Sequence, residues 1–106
     1  MSIDFILAPA ALADIDEIAD FLSPVDPEAA LKVIDAIYDG CELLADRPHL
    51  GHARRDLTQH DVFFWAVARR YAIVYRKATP LQIVRVLAWR RDIKRVLRGE
   101  FRSERG

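Results

Sequence analysis

Three short runs rich in branched and aromatic residues stand close together in the second half of the chain: "VFFWAV" (62–67), "YAIVYRK" (71–77) and "LQIVRVLA" (81–88). Only "ARR" separates the first two, and a turn at Ala78-Thr79-Pro80 separates the next two. Connections this short cannot hold a crossover helix, so consecutive runs must pair as antiparallel hairpins. Alternation then sets Tyr71, Ile73 and Tyr75 on one face and Ala72, Val74 and Arg76 on the other. By the same count Val84 and Val86 oppose Ile83, Arg85 and Leu87.

The first half reads differently. Residues 3–8, "IDFILA", suit a short strand, and Pro9 follows at a position where a helix begins without loss because its missing N–H needs no partner there. Ala11, Ile15, Ile18, Ala19 and Leu22 repeat at helical spacing, and Ser23-Pro24 ends that stripe. Asp26-Pro27-Glu28 reads as an N-cap, a first-position proline and a first-turn acid. The stripe of Ala30, Val33, Ile34, Ile37, Cys41 and Leu44 carries a second helix to about Ala45, giving an antiparallel helical hairpin. Gly40 inside it costs about 1 kcal/mol relative to alanine.

Residues 46–61, "DRPHLGHARRDLTQHD", read as an irregular connection. His49, His52 and His60 invite a metal reading, but spacings of three and eight with no cysteine nearby match no zinc pattern, which leaves them as surface side chains. Residues 89–97, "WRRDIKRVL", place Ile93, Val96 and Leu97 at helical spacing among arginines and lysine, so a short basic terminal helix is predicted, with 98–106 as a flexible tail. The order β-α-α-β-β-β-α makes an α+β domain with helices packed on one face of a small antiparallel sheet.

A chain of 106 residues, 52% of them hydrophobic, can bury the core of one domain. The start carries no basic n-region, and Asp4 and Pro9 break its apolar stretch, so neither a signal peptide nor a membrane span is indicated and a cytoplasmic protein is expected. Cys41 is the one cysteine, which rules out an internal disulfide, and its place on an apolar stripe suits a buried thiol better than a nucleophile.

The net charge of zero hides a division. Residues 1–46 carry one base and 11 acids, whereas residues 47–106 carry 15 bases and 5 acids, so the halves stand at −10 and +10. The basic half favours an anionic partner unless the two halves neutralise each other across the fold. No glycine-rich phosphate loop, nucleophile elbow or Cys/His cluster is present, so conventional hydrolase chemistry is not expected and no cofactor is implied. The strands and the segment after them interleave arginines with aromatics: Phe63, Trp65, Tyr71, Tyr75, Arg76, Arg85, Trp89, Arg90 and Arg91. That mixture suits stacking plus charge against nucleic acid or an acidic, partly apolar segment, although Phe63, Trp65, Tyr71 and Tyr75 equally suit the core.

Taken in order, "FILAPAALADIDEIADFL", "RPHLGHARRDL", "RRYAIVYR" and "IVRVLAWRRDIKRVL" resemble the RelE/ParE superfamily of toxins from type II toxin–antitoxin systems, over residues 3 to 98. The resemblance implies the same small sheet with a helical hairpin. It also implies one of two activities. One branch cuts messenger RNA in the ribosome with basic residues on the sheet and a tyrosine in the terminal helix; the ParE-like branch poisons DNA gyrase by binding. Phe63, Trp65 and Ala72 stand where nuclease relatives carry lysines and an arginine, and the segment after Trp89 has no tyrosine or histidine to move a proton. Arg85 before "VL" and the pair Arg91-Asp92 look like the ParE branch, although many relatives carry an arginine in place of Phe63 and a histidine in place of Ala88.

The expectation is therefore a gyrase-directed toxin that is not an enzyme, with a RelE-type endoribonuclease as the alternative. Trp89, Arg90, Arg91, Lys94 and Arg95 are expected to meet the target. Phe63, Trp65, Arg76 and Arg85 are expected to hold a cognate antitoxin through an acidic, amphipathic C-terminal segment. No membrane contact and no sequence-specific nucleic-acid contact is expected.

Overall fold

The computed structural model describes residues 4–102. Strand β1 (Phe5–Leu7) leads into helices α1 (Pro9–Leu22) and α2 (Pro27–Asp46), a short 3-10 turn at Pro48–Leu50, strands β2 (Phe63–Val67), β3 (Tyr71–Arg76) and β4 (Leu81–Ala88), and helix α3 (Ile93–Glu100). The four strands form one sheet in the order β1-β4-β3-β2. The two hairpins are antiparallel, as their short connections require. β1 is parallel to β4, so the sheet is mixed and the expectation of an all-antiparallel sheet is corrected. The α1–α2 hairpin between β1 and the other strands supplies the long connection that parallel pairing needs.

Helix starts follow the sequence signals. Pro9 occupies the first position of α1 after an uncapped Ala8, and Asp26 caps α2 by accepting from the Ala29 N–H at 3.1 Å. Gly40 sits where α2 lies closest to the sheet. A Cβ there would stand 2.8 Å from a Val67 methyl and 2.9 Å from an Ile73 methyl, so the helix keeps its glycine for close approach.

The sheet is covered on both sides. Ala11 and Ile15 of α1 and Ile37, Cys41 and Leu44 of α2 pack on Val67, Tyr71, Ile73, Tyr75, Leu81, Ile83 and Val86. On the opposite face Ile93 and Leu97 of α3, together with Phe101, pack on Phe64, Ala72, Val74, Val84 and Leu87. The hairpin occupies one face as expected, but α3 covers the other. The basic C-terminal segment therefore belongs to the core through its apolar stripe, and residues 98–101, expected as part of a tail, belong to the fold: α3 runs to Glu100 and Phe101 is 1% exposed. Positions 103–106 lie outside the described residues.

A register shift opposite Val74 and Tyr75 breaks the simple alternation of β4. Val74 pairs with Arg85 and Tyr75 with Ile83, which leaves Val84 as the extra residue of a bulge. The bulge resets the parity of the strand. Val84 and Leu87 face α3, and Ile83 and Val86 face the hairpin, so Val84 and Val86 do not share a face.

Arg85 follows the bulge, where β4 has no neighbouring strand on its β1 side. β1 covers only Leu81–Ile83, and beyond it the edge of β4 is closed by Asp14 from α1. One Asp14 oxygen accepts from the Val86 N–H at 2.9 Å and from Arg85 Nε at 2.7 Å, while the other accepts from Arg85 Nη2 at 2.8 Å. Arg85 Nη1 donates to Glu100 at 3.2 Å. Asp14 is 5% exposed, so this bidentate pair ties α1, β4 and the end of α3 together across the sheet edge.

Candidate interaction surfaces

One end of the sheet gathers the basic side chains. Ala68 and Arg69 adopt φ of 49° and 63°, the left-handed conformation that matches a tight hairpin turn to the twist of its strands. Neither residue is glycine, and each such residue costs on the order of 1 kcal/mol. Arg69 and Arg70 are exposed on this turn. The Trp89 N–H donates to the Arg70 carbonyl at 2.9 Å, which fastens the corner after β4 to the same turn and sets Arg90 and Arg91 beside it.

This corner is not helical. Asp92 is the N-cap of α3, accepting from the Arg95 N–H at 3.2 Å, so the helix begins at Ile93 rather than at Trp89. The five residues expected to meet the target are thereby divided. Trp89, Arg90 and Arg91 join Arg69 and Arg70 at the end of the sheet, whereas Lys94 and Arg95 lie on the exposed side of α3. The Trp89 ring is half-buried, stacked 6.3 Å from Phe64 with the Arg54 guanidinium 5.7 Å from its centroid.

Phe21 projects from the end of α1 towards this rim at 66% exposure, and the Arg90 guanidinium lies 6.0 Å from its ring. Two adjoining hollows of about 300 and 400 Å³ lie between α1 and the end of β4 and share Phe21, Tyr71, Ala88 and Arg90. Together they make a groove with an apolar floor, bordered by Arg69, Arg70, Arg90 and Arg91 at the sheet's end and by Glu17 and Asp14 on the α1 side. Phe21, Arg69 and Arg70 were not singled out from the sequence. The signal available was the pair of arginines in "ARR", which must point outward from any two-strand turn.

The four residues expected to hold an antitoxin do not share one surface. Phe63 and Trp65 are half-buried on the hairpin side, Phe63 lying 5.9 Å from the Tyr75 ring and under the Lys77 ammonium at 4.1 Å. Arg76 lies 5.3 Å from the Phe101 ring near the end of α3. Arg85 is engaged by Asp14 and Glu100, so its charge is held inside the fold.

Tyr75 and Cys41 belong to the core. The Tyr75 hydroxyl donates to the Pro48 carbonyl at 2.6 Å and accepts from the Gly51 N–H at 2.9 Å, anchoring the connection that precedes β2. A Cβ at Gly51 would collide with that hydroxyl and stand 2.7 Å from the ring. Cys41 is buried, and burial, followed by the nearby Glu42 charge, pushes its thiol up to about 12. Of the histidines, His49 lies in the 3-10 turn, His52 pairs with Phe64 at the edge of β2, and His60 stacks 4.1 Å from Phe101. Among the described residues no three His, Cys, Asp or Glu side chains are grouped to hold a metal ion, and no helix is long and apolar enough to cross a membrane.

Comparison with known proteins agrees with this architecture. A family model described as the ParE toxin of type II toxin–antitoxin systems, parDE, matches residues 5–93. Among solved structures, a chain of the chromosomal ParDE toxin–antitoxin system from P. aeruginosa superposes with a TM-score of 0.68 at 24% identity, covering 81% of this chain and 95% of that one. At that identity the likeness concerns the fold. Comparison with curated proteins gives no match.

Proposed function

Because the chain belongs to the ParE family of type II toxins, we propose that it poisons DNA gyrase by binding, in the cytoplasm, and that a cognate antitoxin silences it by occupying the same surface. The observation that carries this reading is the groove at the end of the sheet. Its apolar floor of Phe21, Tyr71 and Ala88 and its border of Arg69, Arg70, Arg90 and Arg91 suit an acidic amphipathic segment, the four arginines outnumbering Glu17 and the Arg85-paired Asp14 on the α1 side. A disordered antitoxin tail can order itself there and cover the cations that the target would otherwise meet. Arg85 serves the fold in this reading, and Trp89 holds the corner from which Arg90 and Arg91 project.

A ribosome-dependent endoribonuclease is the second reading, and one observation favours it. A basic cavity beside α3 contains His60, whose ring nitrogens can donate or accept a proton. Purified protein added to gyrase and supercoiled DNA, in parallel with translating ribosomes and messenger RNA, separates the two. The expected result is accumulation of cleaved DNA with gyrase and intact message on ribosomes. The reverse pattern would establish the second reading. Co-expression with the neighbouring reading frame tests the partner: a small acidic-tailed protein is expected to copurify, and a chain that is harmless and monomeric alone would remove the antitoxin from the account.

A further inference from the structure

A second concavity is distinct from the groove at the end of the sheet. It lies between the 54–60 connection and the outer side of α3, with a volume of about 440 Å³. Arg55, Lys94, Arg98 and Arg102 line it, with His60 at its wall. Its one described acid, Asp56, is already paired with Arg54 through contacts of 2.9 and 2.8 Å, so the cavity keeps a surplus of positive charge. The wall is set in shape. Arg55 Nη1 donates to the Gln59 carbonyl at 2.8 Å, and the Gln59 amide returns a bond to the Arg55 carbonyl at 2.9 Å. His60 lies over the buried Phe101 ring.

We propose that this cavity holds the phosphodiester backbone of a nucleic acid without reading its sequence. Lys94 and Arg98 stand four residues apart on α3, about 6 Å of helix rise, and Arg102 follows just past the end of that helix, so three cations of one segment line the cavity and a polyanion can engage them together. Arg55 lines the same cavity, and with Nη1 given to the Gln59 carbonyl the rest of its guanidinium can donate to a phosphate oxygen. An amphipathic acidic peptide is the poorer occupant. It needs a broad exposed apolar surface beside the charge, and the large apolar side chains here are the buried Phe101 and the half-buried Leu57, whereas exposed ones such as Phe21, Val25 and Leu31 do not line this cavity. The inference goes beyond gyrase poisoning and is measured without gyrase, so either can fail alone.

The test is fluorescence anisotropy of short labelled oligonucleotides, single-stranded and duplex, with the full-length protein. Engagement of four cations predicts a log–log dependence on salt with a slope of about −3, a loss of roughly 50-fold between about 50 and about 200 mM. The double reversal Lys94→Glu with Arg98→Glu should lower affinity by about tenfold or more at low salt. The reversal Lys32→Glu with Arg47→Glu, two exposed charges on α2 and at its end, should change it little. Binding of either oligonucleotide with this pattern supports the site. Absence of salt-dependent binding, equal loss in both double variants, or equal affinity for a polyglutamate peptide would overturn it. If the glutamate variants fail to fold, Lys94→Gln with Arg98→Gln must still weaken binding for the proposal to stand.

Discussion

The single side chain with the widest structural reach is Asp14. Buried in α1, it closes the edge of β4 and holds Arg85 by two hydrogen bonds. Asp14→Ala should destabilise the protein by about 3–5 kcal/mol, because it strands a guanidinium that the fold has partly removed from water and frees a backbone donor. Replacing Asp14 and Arg85 together by leucine and methionine should cost less than the single change, and equal losses in thermal melting would argue against the pair. Tyr75→Phe removes the hydroxyl that serves both the Pro48 carbonyl and the Gly51 N–H, with an expected cost of about 1–3 kcal/mol in denaturant unfolding. Cys41 supplies a probe of the native core. With its thiol pushed up to about 12 by burial, it is protonated at neutral pH and should resist alkylation until the chain unfolds. Alkylation of native protein at the rate of a free thiol would contradict its placement.

At the scale of elements, the strands and both long helices follow from local signals, within a few residues of where they are found. Three features escaped for physical reasons. The parallel pairing of β1 is a long-range choice that no local pattern encodes. The bulge at Val84 changes the parity of β4 without changing its composition, so alternation alone misplaces Val86 and leaves Arg85 looking like a groove residue. The third is the cover supplied by α3. "YAIVY" is an unbroken apolar run, the pattern of a strand buried on both faces, and β3 is indeed buried from Tyr71 to Tyr75. Read that way, it asks for a second layer, and the stripe of Ile93 and Leu97 can provide it. The surfaces are less legible: the sequence marks the arginines after Trp89 as basic, but their grouping with Arg69 and Arg70 depends on a turn contact between distant segments. Phe101→Ala tests the second layer. It should cost about 3–5 kcal/mol in denaturant unfolding, whereas a flexible tail would tolerate it within about 0.5 kcal/mol.

For the whole molecule, the division of charge becomes a division in space. The acids of residues 1–46 are carried mainly by α1 and α2, and the bases of the second half are spread over the connection before β2, the sheet and its end, and α3. Asp14 and Arg85 join the two halves, yet Arg69, Arg70, Arg90 and Arg91 remain exposed together at the end of the sheet. A rim of that kind raises association rates with an anionic partner and loses its effect as salt rises. The central claim is that this rim is what the target meets. It is tested most directly by reversing Arg69, Arg70, Arg90 and Arg91 to glutamate and measuring gyrase supercoiling with the purified variant, its melting recorded alongside. The account predicts a variant that melts cooperatively like the parent and no longer inhibits supercoiling; a folded variant that inhibits gyrase at the parent's concentration would contradict it.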